Sequence, residues 1–281
     1  MRQTLELFPL NSRIDEDGQL WLGGCQAAAL AETYGTPLYV LDETTLRTRC
    51  REYRQALVEH YPGRSQVAYA SKAYLNLALA QILAQEGLHL DVVSGGELYV
   101  ARQARFPAAR IHFHGNNKSS AELGMALDEG VGRIVVDNDY ELGLLERLTA
   151  ERQIRLPIWL RLSPGIDVHT HDYRKTGLLD SKFGFPMATG QAERALIQAL
   201  ASPHLNPVGL HAHVGSQILD VEPFALTAVR LIDWAAAMNR AHGFRLRELS
   251  PGGGWGVPYQ ETQAATPIAP YVAAVCQAAV S

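Results

Sequence analysis

Gln66-Val67-Ala68-Tyr69-Ala70-Ser71-Lys72-Ala73-Tyr74 alternates small and large residues as far as Ala70. That is the pattern of a strand in a buried parallel sheet. Lys72 therefore falls at or just past the C-terminal end of the strand. Ala68 and Ala70 share its face and leave room beneath it. An amine so placed forms a Schiff base with a carbonyl compound once desolvation lowers its pKa towards the free base. The plainer alternative is an exposed lysine that closes a strand. The residues further along the chain weigh between the two.

From about residue 65 onward, strand-like stretches at 66–71, 88–93, 110–115, 133–137, 157–163, 207–214 and 245–250 alternate with helical patterns. The helices are predicted near 75–86, 95–105, 119–129, 139–151, 190–201 and 222–242, with an earlier one over 43–60. This alternation means βαβ units and a parallel sheet. No dinucleotide fingerprint follows the first strand, so a (β/α) barrel fits better than a doubly wound sheet. Seven strands are counted, whereas a closed barrel of this type has eight. The short apolar helix predicted over 268–280 is of the kind that leads into another strand. A missed strand, an open barrel and a chain that is part of a longer protein all satisfy the count. Residues 1–40 read differently. Gln19-Leu20-Trp21-Leu22 and Pro37-Leu38-Tyr39-Val40-Leu41 are short apolar pieces between turns, expected as strands of a small second sheet.

The 281 residues are 47% hydrophobic and 19% charged, which suits an ordinary globular protein with a sizeable core. A formal net charge of −4 argues against nucleic acid as the main partner. The N-terminus lacks a basic-then-apolar signal pattern, and no apolar run reaches about 18 residues. A cytoplasmic protein is expected. Cys25, Cys50 and Cys276 have neither metal nor disulfide spacing and are expected as buried, reduced thiols.

In a barrel, residues at the C-terminal ends of strands face the active site. Asp91 opens Asp-Val-Val-Ser-Gly-Gly-Glu, with Ser94 and Glu97 close behind. His112 and His114 end the third strand and Asp137 the fourth. Arg161 shares a strand face with Trp159 and Ser163. His211 and His213 lie on one face of the sixth strand, from which Ser216 and Gln217 depart. Pro251-Gly252-Gly253-Gly254-Trp255-Gly256 follows the seventh strand. Successive glycines let backbone N–H groups converge on an anion, and the loop after strand seven is a usual phosphate seat in such barrels. A phosphate seat and a Schiff-base lysine on one barrel suggest pyridoxal 5′-phosphate. A flat side chain such as His213 would lie against its ring. The polar stretch from His169 and His171 through Thr176 and Gly177 to Ser181, Lys182, Phe183 and Gly184 is a long loop of the kind that closes over a substrate.

Six motifs in one order carry a resemblance: Tyr-Ala-Ser-Lys72-Ala, Asp91 to Leu98, Gly115-Asn-Asn-Lys118-Ser, His169-Thr-His171 with Thr176-Gly177 and Lys182-Phe-Gly184, His211-Ala-His213-Val-Gly-Ser216-Gln217, and Pro-Gly252-Gly-Gly254-Trp-Gly. Over about 36–260 the chain resembles the fold-type III pyridoxal-phosphate decarboxylases. The His-Thr-His…Thr-Gly and Gly-Ser-Gln pieces favour the diaminopimelate branch over the ornithine or arginine enzymes. The resemblance implies an α/β fold, the (β/α)8 TIM-type barrel of the alanine racemase-like family, here lacking strand eight and the C-terminal β-domain. It implies that 36–281 is the cofactor-binding barrel and that 1–35 belongs to the mostly absent β-domain.

The resemblance also implies roles. Lys72 would carry pyridoxal 5′-phosphate and His213 would stack on its ring. Ser216, Gly252, Gly253 and Gly254 would hold the phosphate. Asp91, Glu97 and Arg161 would form the polar shell. The reaction would be decarboxylation of meso-2,6-diaminopimelate to L-lysine and carbon dioxide by a homodimer in lysine biosynthesis. The family's Glu-Pro-Gly-Arg and Cys-Glu-Ser-x-Asp motifs are not in this sequence. The chain by itself is therefore expected to bind the cofactor weakly and to decarboxylate poorly or not at all.

Three rivals remain. A metal-dependent barrel hydrolase is invited by the His-x-His pairs 112/114, 169/171 and 211/213, but Lys72 stands where such enzymes need a histidine pair. A non-catalytic cofactor-binding module and a sister activity, another amino-acid decarboxylase or a racemase, are the others.

Overall fold

The structure is a computed structural model and describes residues 5–166, 182–260, 263 and 267–280. Near the N-terminus, β1 (Arg13–Ile14), β2 (Leu20–Leu22) and β3 (Cys25–Gln26) form a small antiparallel sheet. Helices α1 (Ala27–Tyr34) and α2 (Glu43–His60) follow. The rest alternates: β4 (Ala68–Ala70), α3 (Leu77–Gln85), β5 (His89–Val92), α4 (Gly95–Gln103), β6 (Ile111–Phe113), α5 (Ser120–Glu129), β7 (Arg133–Val136), α6 (Asp139–Glu151), β8 (Leu156–Ser163), β9 (Phe185–Pro186), α7 (Gln191–Ala201), β10 (Leu205–His211), α8 (Glu222–His242), β11 (Glu248–Ser250) and α9 (Ile268–Val280). The parallel sheet runs β4-β5-β6-β7-β8-β10-β11, with the short β9 paired to the end of β8. This is the strand–helix rhythm expected from the sequence.

The helices start where side chains satisfy their first N–H groups. Asp42 caps α2, Asn76 caps α3, Ser94 caps α4 and Asn138 caps α6. Ser119 and Glu122 form a reciprocal capping box at α5.

Alternation within the strands separates two faces. Leu90, Val92, Ile111, Phe113, Ile134, Val136, Ile158, Leu160, Leu162 and Leu210 lie in the main hydrophobic core with residues of the helices. The intervening residues face the other way and meet across the sheet. His114, just past β6, lies edge-on to His211 of β10, with ring centroids 4.6 Å apart, although two strands separate them in sheet order. Arg133 of β7 pairs with Glu248 of β11. Such contacts require a sheet curled around an interior, a TIM-type barrel arrangement. Among the described residues β4 and β11 are the two edges, each paired on one side.

Three expectations are corrected. Pro37 to Leu41 forms no strand; Tyr39 is 93% exposed, so its apolar side chains find no sheet to join. The strand before Lys72 is not buried: Ala68 and Ala70 are exposed because β4 has a neighbour only in β5. Cys25 is exposed in β3, whereas Cys50 and Cys276 are buried as expected; all three are free thiols. Among the described residues, no helix is long and apolar enough to cross a membrane.

Candidate active site

The inward residues of the barrel are unusually polar, and they form one connected column. At its lower end Glu248 pairs with Arg133 and accepts a hydrogen bond from Trp159 Nε1 at 2.6 Å. The Trp159 ring packs against His112 at 4.7 Å. His112 joins His89 through Nε2 at 3.2 Å and Asp91 through Nδ1 at 3.1 Å. Asp91 lies 3.5 Å from His114, His114 packs on His211, and His211 meets Ser250 Oγ at 2.9 Å. Burial pushes the Asp91 carboxyl up, but the charges and hydrogen bonds of His114 and His112 outweigh it and hold the group well below the usual carboxylate range. Burial, then the charge of His112, lowers His89 to about 4. Burial and the charge of His114 likewise keep His211 neutral.

The donor atoms of Asp91, His112 and His114 all lie within 4.8 Å of one another. Of the three His-x-His pairs that invited a metal-dependent hydrolase, this group contains 112/114; 211/213 is not in it, and 169/171 lies outside the described residues. Asp91 and His89 occupy both nitrogens of His112, whereas the buried Nε2 of His114 has no hydrogen-bond partner among the described residues and has only Asp91 at 3.5 Å.

Above the column stand the residues singled out in the sequence. Lys72 sits in a 3₁₀ turn, Ser71–Ala73, directly after β4. Register pairs Ala70 with Asp91, which places Lys72 two residues beyond the Asp91 level. Its side chain is exposed, not desolvated as expected, because it ends an edge strand. Its charge nevertheless reaches two groups. Burial raises the Glu97 carboxyl, opposed by the Val93 N–H and by Lys72; Glu97 Oε2 accepts that N–H at 2.8 Å. Burial, then the charges of Lys72 and Arg161, lower His213 to about 4 against a hydrogen bond with the Gly253 backbone. Lys72 is thus within electrostatic reach of both Glu97 and His213, and Arg161 of His213.

Arg161 is partly buried and donates to Asp137 Oδ1 at 2.9 Å, with its guanidinium 4.6 Å from the Phe183 ring centroid. Gly184 N donates to the other Asp137 oxygen at 3.1 Å. This anchors the described end of the long polar loop, Lys182 to Gly184. His169, His171, Thr176, Gly177 and Ser181 lie outside the described residues.

The glycine loop meets the strand-six loop backbone to backbone. A Cβ at Gly252, where φ is +87°, would overlap the Ala212 carbonyl oxygen. A Cβ at Gly254, φ +108°, would overlap the Gly215 carbonyl oxygen and lie 3.2 Å from the Ser216 Cα. Only glycine permits both the conformation and the approach. Around Gly253 the space is open within 4 Å. The result is a side-chain-free cradle at Gly252 to Gly254 beside Ser216, hydrogen-bonded to His213, which suits a phosphate monoester.

The pyridoxal-dependent decarboxylases, through their pyridoxal binding domain, match residues 43–280. The chain belongs to that family. Pyridoxal-dependent decarboxylases similar to it include the diaminopimelate decarboxylase of Bacillus subtilis, 47% identical over 95% of this chain and 61% of the relative. That of Mycobacterium tuberculosis is 41% identical over 94% of this chain and 59% of the relative. Among solved structures of the family, diaminopimelate decarboxylase from M. jannaschii in complex with L-lysine superposes with a TM-score of 0.89 at 33% identity, covering 96% of this chain and 62% of that one. The chain thus spans about 60% of the length of its relatives. Pyridoxal phosphate is the family's cofactor, and the glycine cradle and the lysine beyond Ala70 fit it.

Sequence reasoning missed several residues that build the site. His89 carries the signal of alternation with Asp91 on one strand face. Trp159 was read only as a strand-mate of Arg161, and Arg133 and Glu248 have no local signal, since 115 positions separate them.

Proposed function

We propose that this chain supplies the cofactor-binding barrel of a pyridoxal-phosphate decarboxylase acting on meso-2,6-diaminopimelate, with L-lysine and carbon dioxide as products. The observation that carries the reading is the convergence of the Gly252–Gly254 cradle, His213 and the charge of Lys72 at one end of the barrel. The kinship with diaminopimelate decarboxylases supports this choice of substrate.

In this reading Lys72 would hold the cofactor through its aldehyde, and Gly252, Gly253, Gly254 and Ser216 would hold its phosphate. His213, kept neutral by burial, lies against the ring without adding a charge. Asp91, ionised between two histidines, Glu97 and Arg161 form the polar shell. Arg161 is aimed by its pair with Asp137. The bound cofactor supplies an electron sink for the pair left behind when the carboxylate departs. We further propose that 1–35 belongs to a second, β-rich unit apart from the barrel of 36–281, that the working protein is a homodimer, and that it acts in the cytoplasm in lysine biosynthesis.

Borohydride reduction in the presence of pyridoxal phosphate, with peptide mass mapping, should place a pyridoxyl group on Lys72 and none in Lys72→Ala. Carbon dioxide release from meso-diaminopimelate, set against ornithine and arginine, tests the substrate. Labelling spread over surface lysines would end the cofactor reading, and preferential turnover of ornithine would end the substrate reading.

A further inference from the structure

Gln217 follows the strand-six loop with a left-handed backbone, φ +60°, a conformation that side chains with a Cβ rarely adopt. A glycine there would be unstrained. The strain therefore points to work done by the side chain. That side chain is exposed, yet its amide makes two hydrogen bonds with one distant residue. Nε2 donates to the Val257 carbonyl at 2.5 Å, and Oε1 accepts the Val257 N–H at 3.2 Å. The primary amide behaves as a short piece of strand laid against residue 257.

This clip extends a small ladder. Ile218 N donates to the Gly254 carbonyl at 3.0 Å and Gly256 N donates to the Ile218 carbonyl at 2.9 Å, with Ile218 bridged to Trp255. The ladder fixes residues 217–218 against 254–257. Immediately upstream lie Gly215-Ser216 on one side and Gly252-Gly253 on the other, and the ladder's own Gly254 comes so near Gly215 that a Cβ on it would overlap the Gly215 carbonyl oxygen. A slip of either side would open or close the gap between them.

We infer that Gln217 is a positioning residue for the phosphate cradle: its amide clip to Val257 sets the spacing of the two loops that receive the cofactor's phosphate. This rests on the reading of that cradle in the proposed function. Gln217 touches no reacting atom in it. Its effect is confined to the phosphate end, so it should alter how well phosphate is told from no phosphate.

The test is the ratio of affinities for pyridoxal phosphate and phosphate-free pyridoxal, measured by absorbance titration of the full 281-residue chain and of Gln217→Met and Gln217→Gly. Methionine keeps the volume and loses both hydrogen bonds. Glycine relieves the backbone, so apo-protein thermal stability should hold or rise. Both variants should lower the ratio by about tenfold, as for two lost hydrogen bonds, with pyridoxal affinity unchanged. A wild-type ratio in both variants would overturn the inference and leave the cradle standing. So would equal loss of both ligands together with lowered stability, which marks a merely structural role. A wild-type chain that binds the two ligands equally would instead remove the cradle, and the inference with it.

Discussion

Lys118 Nζ and the Glu141 carboxylate lie 2.9 Å apart, and 1% and 3% of their side-chain surfaces reach solvent. Lys118 also donates to the carbonyls of Gly115 and Val135, while Glu141 accepts the Asp137 N–H. The pair ties the ends of β6 and β7 together directly beside Asp137, which aims Arg161. Breaking it strands a charge in a dry place. Lys118→Met and Glu141→Gln should each lower unfolding stability by about 3–5 kcal/mol. The double variant should recover part of the loss, because neither charge is then left buried without its partner. Urea titration of the three proteins reads this. Strictly additive losses would show that the two charges do not depend on each other.

Neighbouring glycines in the cradle should respond differently. Gly254→Ala places a methyl group on the Gly215 carbonyl in a left-handed backbone, whereas Gly253→Ala meets nothing within 4 Å. The first should cost about 2 kcal/mol or more and abolish discrimination in favour of phosphate; the second should stay within about 0.5 kcal/mol of the parent. Thermal melts and cofactor titration of both variants decide it. Equal effects would mean that the loop is not held as described.

Stability should fall on mild acidification. Burial and the charge of His112 lower His89 to about 4, and burial and Lys72 do the same to His213. Both titrate near 6.5 in the unfolded chain. Above 6.5 neither state is protonated and there is no penalty. As pH falls from 6.5 to about 4, the unfolded chain takes up protons that the folded chain refuses, so stability present above 6.5 is progressively lost. The urea midpoint should drop between about pH 7 and about pH 4.5, less steeply in His89→Gln. A variant with the parent's slope would remove His89 as a contributor.

Gly209 leaves room for an indole. A Cβ at that position would stand 2.5 Å from the Trp159 ring and 2.8 Å from the Glu248 carbonyl. Gly209→Ala should therefore displace Trp159 from its hydrogen bond to Glu248 and destabilise the barrel by about 1–3 kcal/mol. Intrinsic fluorescence should shift along with the melting temperature. An unchanged emission spectrum would show that the ring is not pinned.

Much of the barrel was legible because its helices carry their own boundaries. Asn138 to Glu151 and Ser119 to Glu129 announce a cap, an acidic first turn and an apolar stripe. The close approach of the glycine loop was legible because Gly252 and Gly254 combine a left-handed backbone with a carbonyl where a Cβ would stand. What the sequence hid was lateral. Local alternation marks Ala68–Ala70 as a strand but says nothing of how many neighbours it has, so the exposure of Lys72 was unreadable. The same blindness applies to Pro37–Leu41, whose apolar residues spell a strand that no partner completes. The column from Glu248 to His211 was invisible for a further reason: its links cross the barrel between strands far apart in the chain.

The edge position of β4 couples two properties that are usually treated separately. Among the described residues one side of its backbone faces no strand, and the exposed Lys72 follows its last residue by two positions. Any segment that docked along Ala68 and Ala70 would both complete the main-chain pairing and draw the amine out of water. On the proposed function, completing this edge would also shield the amine that is to carry the cofactor.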